Sequence, residues 1–138
     1  MRYADDMINA IRQEIRLRKQ DAKLPVETIY FGGGTPSVLT PQQLRVLLGE
    51  VHNQFEVIDK PEITLEANPD DLSPAYIFDI LKLGINRLSI GVQSFLDDEL
   101  TLMNRAHNAS QALSSVEHAK KNLTMSRLIF FLEIQTLP

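Results

Sequence analysis

Strand, loop and helix recur three times along this chain at a spacing of roughly 27 to 36 residues, the length of a β-α unit. No other feature narrows the choice of fold as much. The recurrence predicts an α/β architecture, a parallel sheet with flanking helices. The run 26–31 is rich in β-branched and aromatic residues and is stopped by Gly32-Gly33-Gly34, which marks a first strand. Thr40, Pro41 and Gln43 form a capping-box pattern, and the helix they start is expected to bury Leu44, Leu47, Leu48, Val51 and Phe55. A second strand is expected over 62–66, where Ile63 and Leu65 alternate with charged neighbours, ending in Ala67-Asn68-Pro69. Ser73-Pro74 repeats the cap-then-proline start for a helix packed through Ile77, Phe78, Ile80 and Leu81 and closed by Gly84. A third strand over 87–92, a short helix near 97–103 and a longer one over 110–121 complete the pattern.

Ahead of the first strand, Tyr3, Met7, Ile11 and Ile15, with Ile8 beside them, form one apolar stripe on a helix reaching about residue 19. The chain opens inside that helix without a cap, so its beginning is expected to be missing. With 138 residues, 43% of them apolar and 23% charged, one globular domain is expected. The absence of cysteine excludes disulfides, thiol nucleophiles, thiolate-ligated zinc and any iron–sulfur cluster held by these residues. A net charge of −4 leaves no basic footprint for nucleic acid or an anionic membrane, so a small-molecule or protein partner is expected. The longest apolar run, 128–132, falls far short of the roughly 20 residues that span a bilayer. Acidic residues within the first helix and the lack of an apolar h-region argue against a secretory signal, and a cytoplasmic location is expected.

Right-handed crossovers place the C-terminal ends of parallel strands at one edge, where β/α proteins build their sites. The first strand end brings Gly32, Gly33, Gly34, Thr35 and Ser37, a loop that lets a ligand approach the backbone and that is neither a Walker A loop nor a dinucleotide fingerprint. The second brings Glu66, whose ionised carboxylate suits an amine or a pair of sugar hydroxyls, together with Asn68, Asp70 and Asp71. The two aspartates read as the acidic approach to a helix N-terminus. The third brings Gln93 and Ser94, and beyond them lies Arg105, suited to a bidentate grip on a carboxylate or phosphate. His52, His107 and His118 lack a third ligand at a metal-binding spacing and read as structural or solvated. No Ser-His-acid set or carboxylate pair stands out. The residues therefore point to a polar, amphoteric small ligand held by backbone, Glu, Gln and Arg, without a catalytic base.

Four ordered segments carry a resemblance: Tyr-Phe-Gly-Gly-Gly-Thr-Pro-Ser (30–37), Leu-Glu-Ala-Asn-Pro (65–69), Arg-Leu-Ser-Ile-Gly-Val-Gln-Ser-Phe (87–95) and Arg-Ala-His-Asn (105–108). Together they resemble radical SAM proteins of the oxygen-independent coproporphyrinogen III oxidase-like group. Ser94 and the Arg-Ala-His-Asn segment are closer to the haem chaperone branch than to the oxidase itself. The resemblance covers residues 1 to about 121 and implies a partial (β/α) TIM-type barrel of about three parallel strands, with S-adenosylmethionine at its C-terminal edge. Gly33, Gly34 and Thr35 would meet the methionine amino group. Glu66, Gln93 and Arg105 would meet the other polar groups, with Arg105 opposite the carboxylate. It further implies a [4Fe–4S] cluster in the full-length family, where cofactor and cluster carry the radical chemistry, and haem or a porphyrinogen as partner. No residue of this chain is assigned a catalytic or metal-ligating role.

Two departures follow from the same resemblance. The family holds its cluster on a Cys-x3-Cys-x2-Cys loop upstream of the helix with which this chain begins, and no such cysteine is present, so the 138 residues are expected to be inactive alone. After Lys121 the family continues with a strand resembling Phe-Asp-Asn-Val-Ser-Ile-Asp-Leu-Ile-Tyr-Gly-x-Pro, whereas this chain reads Asn-Leu-Thr-Met-Ser-Arg-Leu-Ile-Phe-Phe-Leu-Glu-Ile-Gln. A one-base shift permits Phe-Asp-Asn-Val-Ser-Ile-Asp-Leu-Leu-Phe-Gly-Asn-Pro. Residues 1–121 are accordingly expected to be a partial radical SAM core and 122–138 an aberrant, frameshifted tail that loses an Asp contact to the cofactor. Three readings compete: a fragment carrying half of a cofactor site, a cluster-free module binding a nucleotide-like ligand, and a degraded product whose open edges and faces prevent stable folding.

Overall fold

A computed structural model describes residues 3–122 and 129–130 of the chain. Local chemistry sets most element boundaries. Strand β1 (Val26–Phe31) follows helix α1 (Ala4–Leu17) and has the bounds expected from its composition. Helix α2 (Pro41–Gln54) begins at the capping box: the Thr40 hydroxyl accepts from the Gln43 N–H (3.3 Å), and the Gln43 side chain accepts from the Thr40 N–H (3.0 Å). After strand β2 (Val57–Ala67), the Ser73 hydroxyl accepts from the Tyr76 N–H and starts helix α3 (Pro74–Lys82). Gly84 follows at φ +89°, the left-handed conformation that ends a helix most cheaply at glycine. Strand β3 (Arg87–Ile90), helices α4 (Asp97–Leu102) and α5 (Ala109–Asn122), and strand β4 (Ile129–Phe130) complete the order.

The four strands among the described residues are parallel and lie side by side in chain order. Each crossover therefore advances in one direction, as in the wall of a β/α barrel. The three expected strands are present, and β4 pairs beyond them, with Ser89 opposite Ile129 and Ile90 opposite Phe130. Apart from Asn122 and this strand, the segment read as a frameshifted tail lies outside the described residues. β2 starts earlier than expected because a bulge between Val26 and Thr28 skips past Pro61, which cannot donate to a ladder, and pairs Val26 with Val57. β3 stops short of residue 92 because the Val92 and Ser94 N–H groups turn back onto the Ile90 and Val92 carbonyls (3.0 and 2.9 Å).

The register divides the sheet into two unlike faces. Ile29 and Phe31 of β1, Ile63, Leu65 and Ala67 of β2, and Leu88 and Ile90 of β3 share the face packed by Leu44, Leu47, Leu48, Ile77, Ile80, Ala112 and Val116. Tyr30, Thr64, Glu66, Arg87 and Ser89 alternate onto the other face, where Arg87 donates to Glu62 at 2.6 Å. Glu66, a candidate site residue, lies at the C-terminal end of this polar face.

Two packing expectations need correction. Phe78 is 58% exposed, with the Lys82 ammonium 4.0 Å above its ring, because Ile77 and Ile80 already take the sheet-facing side of α3. Of the α1 stripe only Ile8 is buried; Tyr3, Met7 and Ile11 are exposed. Polar groups join α1 to α2 instead. Glu50, almost fully enclosed, accepts from Arg12 (3.1 Å), twice from Arg16 (2.7 Å each) and from Gln54 (3.1 Å). The Arg16 hydrogen bonds lead in lowering the Glu50 pKa to about 2, against the opposing effect of burial. A carboxylate pKa depressed by folding stabilises the fold above the ordinary Glu range, and that contribution is lost as pH falls toward 2. We expect Glu50→Gln to lower the thermal midpoint near neutral pH, and the gap from the parent chain to narrow as pH falls through this window.

Candidate functional site

The loop after β1 is shaped by three glycines with two different roles. Gly33 and Gly34 hold φ of +81° and +72°, and a Cβ at either would meet open space, so backbone conformation is what requires glycine there. Gly32 is different: a Cβ there would lie 2.6 Å from Cε1 of Tyr30 and 3.3 Å from Cδ of Glu66. The bare backbone lets the Tyr30 ring pass over it. At the end of β2, Glu66 accepts the Tyr30 hydroxyl on Oε1 (2.7 Å) and the Gly33 N–H on Oε2 (3.2 Å). That hydrogen bond to Glu66 is the main reason the Tyr30 phenol is held above its ordinary pKa. Thr35, half-buried and outside the helical region before Pro36, continues the loop. Gly33→Ala is expected to cost about 1 kcal/mol, the approximate penalty of a left-handed Cβ, read as a lower urea midpoint.

At the adjoining edge, the Gly91 N–H makes a last rung to the Ala67 carbonyl (2.9 Å) before Gln93 turns outward. Arg105, on the loop after α4, reaches back so that its Nη2 donates to Asn68 Oδ1 (3.0 Å) and to the Gly91 carbonyl (3.1 Å). A Cβ on Gly91 would stand 3.1 Å from the Gln93 amide nitrogen and 3.7 Å from Arg105 Nη2, which places both side chains over the same glycine. Glu66 and Gly33 thus form one polar group, and Gln93, Arg105 and Asn68 another. Their anchors, Glu66 and Asn68, are two residues apart on β2 and its following turn. A carboxylate acceptor and a guanidinium donor anchored at neighbouring strand ends, over glycine-rich backbone, suit a ligand that bears both hydroxyl and carboxylate groups.

The comparisons bear on what that ligand is. The family model described as "Radical SAM superfamily" matches residues 5–136. The chain belongs to the radical SAM superfamily. It is 43% identical over 116 residues to heme chaperone HemW of Lactococcus lactis, covering 81% of this chain and 30% of that protein. It is 37% identical over 139 residues to heme chaperone HemW of Bacillus subtilis, covering 96% of this chain and 36% of that one. Among solved structures it resembles coproporphyrinogen III oxidase (HemN) from Escherichia coli, described as a radical SAM enzyme, with a TM-score of 0.82 and 29% identity over 92% of this chain and 30% of that chain. The chain spans about a third of the length of the curated relatives it matches.

The radical SAM family uses S-adenosylmethionine and a [4Fe–4S] cluster, and the partial barrel expected from the resemblance is the fold seen. The two requirements fit these residues unequally. The glycine loop, the Glu66 carboxylate and the Arg105 fork match the amphoteric groups of S-adenosylmethionine. None of the 138 residues is a cysteine, so they offer no thiolate to the cluster. Among the described residues no group of three or more His, Cys, Asp or Glu could hold a metal ion. None of the described helices is long and apolar enough to cross a membrane.

Around these strand-end loops, several side chains act as braces. The Ser37 hydroxyl donates to Asp71 Oδ2 (2.5 Å) and accepts from the Asn68 N–H (3.2 Å), tying the first loop to the second. Asp71 is therefore a brace between loops rather than only an acidic approach to α3, and Asp70 lies 3.5 Å from Nδ1 of buried His107. His107 Nε2 meets the Val92 carbonyl at 3.1 Å; a carbonyl only accepts, so Nε2 carries the proton and the ring pins the Arg105 loop to the end of β3. Ser94 donates to Glu99 and accepts from the Leu96 N–H (3.0 Å), which makes it a turn residue. Tyr30 and Asn68 are the participants that sequence reasoning left without a role. Tyr30 could be found only from the register that pairs it with Thr64, two positions before Glu66 on the same face.

Proposed function

We propose that this chain forms one wall of an S-adenosylmethionine site in a radical SAM protein of haem or porphyrin metabolism, of the haem chaperone or oxygen-independent coproporphyrinogen oxidase-like kind. The observation that carries the reading is that Glu66, braced by the Gly33 N–H, and Arg105, held on Asn68 and the Gly91 carbonyl, are both anchored at the C-terminal ends of neighbouring parallel strands. Gly33, Gly34 and Thr35 would receive the methionine ammonium on backbone and hydroxyl oxygens. Arg105 would pair with the methionine carboxylate, Glu66 would accept the two ribose hydroxyls, and Gln93 would satisfy a remaining polar group. These residues bind and orient the cofactor, whose chemistry in the family is radical generation. The residues do not fit the cluster, and no step is assigned to it. Haem or a porphyrinogen as partner and a cytoplasmic location belong to the same proposal, as does the division into a core, 1–121, and a frameshifted tail, 122–138. Sequencing the gene across the codon for Asn122 tests that division.

If Glu66 and Arg105 grip opposite ends of one ligand, S-adenosylmethionine binds more tightly than methionine or adenosine alone. Titration calorimetry of the chain with each of the three measures this, and equal or absent binding of all three contradicts it. The lack of cysteine favours one second reading, a cluster-free module for a nucleotide-like ligand. In that case adenosine nucleotides bind in preference to S-adenosylmethionine.

A further inference from the structure

We infer that Tyr30 is a positioning residue that turns Glu66 into a two-pronged acceptor for a vicinal diol; this rests on the proposed role of Glu66 toward ribose. An unrestrained glutamate at a strand end samples several rotamers and must be ordered when a ligand arrives. Here both carboxylate oxygens are already engaged, Oε1 by the Tyr30 hydroxyl at 2.7 Å and Oε2 by the Gly33 N–H at 3.2 Å. A carboxylate has about four acceptor positions, so one per oxygen remains for ligand hydroxyls. The direction of the phenol proton is set as well, since an ionised carboxylate only accepts and the Tyr30 hydroxyl must donate to it. Gly32 belongs to the same device, since a Cβ there would stand 2.6 Å from the Tyr30 ring. Tyr30 itself is 53% exposed, so hydrophobic burial does not account for a tyrosine at this position.

The test is a double-mutant cycle on S-adenosylmethionine affinity, measured by calorimetry on the whole chain with Tyr30→Phe, Glu66→Gln and the pair. Phe keeps the ring and its packing, and a thermal midpoint for each variant confirms that it folds. Tyr30→Phe is expected to weaken binding about three- to tenfold in the parent chain and to have no further effect once Glu66 is Gln. An analogue lacking the ribose diol should bind the parent and Tyr30→Phe chains equally. A loss of the same size in both Glu66 backgrounds would show that Tyr30 acts through the general structure, and this overturns the inference. So does unchanged affinity in Tyr30→Phe while the parent binds. Absence of binding to the folded parent chain instead overturns the assignment of Glu66 to ribose, and the inference with it.

Discussion

Arg105→Ala is expected to weaken S-adenosylmethionine binding roughly 10- to 100-fold, the loss that follows when a charge-assisted hydrogen bond of about 1.5–3 kcal/mol is removed. The guanidinium is held in place before any ligand arrives, through Nη2 on Asn68 and on the Gly91 carbonyl, which leaves the rest of its fork to face the ligand carboxylate. Arg105→Lys keeps the charge but cannot reproduce the fork, so it should recover only part of the affinity. Methionine should lose as much affinity as the whole cofactor, whereas adenosine, which has no carboxylate, should bind the parent and the variant alike. Calorimetric titration of both variants with all three ligands checks the pattern. An equal loss for adenosine would mean that Arg105 supports the loop rather than meeting the carboxylate.

The second large effect concerns the scaffold. Leu65 is fully buried at the centre of the sheet, opposite Phe31 on β1 and Leu88 on β3. Leu65→Ala should destabilise the chain by about 3 kcal/mol, because the lost transfer energy is compounded by a cavity that paired strands cannot close. Since small domains are stable by only about 5–15 kcal/mol, this is a large share of the total. Urea unfolding monitored by circular dichroism should show a lower midpoint with little change in slope. Phe78→Ala, on the exposed side of α3, should shift the midpoint far less, which separates burial from mere apolarity.

The parts of the fold legible in the sequence were those decided within a few residues. The starts of α2 and α3 follow from Thr40 with Gln43 and from Ser73 with Pro74, and β1 from a β-branched, aromatic run cut by glycine. Parallel topology then brought Gly33, Glu66 and Gln93 to one edge without further information, whereas Arg105 reaches that edge from the loop after α4. What remained hidden depended on neighbours distant in sequence. The α1 stripe is apolar, yet its exposure depends on what packs against it, and Glu50, distant in the chain, joins that helix to α2. The early part of β2 lies behind Pro61, where alternation fails and a bulge restores pairing. Asp71 became a partner of Ser37 only once two loops met, and Tyr30 joined Glu66 only through register. Composition alone ruled out cluster ligands among these residues, while membership of the radical SAM superfamily supplies the context in which such a cluster operates.

The central claim is that this wall of the barrel binds S-adenosylmethionine at the strand ends, and a backbone amide NMR titration of the chain with S-adenosylmethionine tests it most directly. Saturable shifts are expected to concentrate at Gly33, Gly34, Thr35, Glu66, Gln93 and Arg105, with the opposite end of the sheet around Lys23 and Phe55 unmoved. Shifts centred on that opposite end, or an unchanged spectrum from the folded chain at saturating ligand, would contradict it.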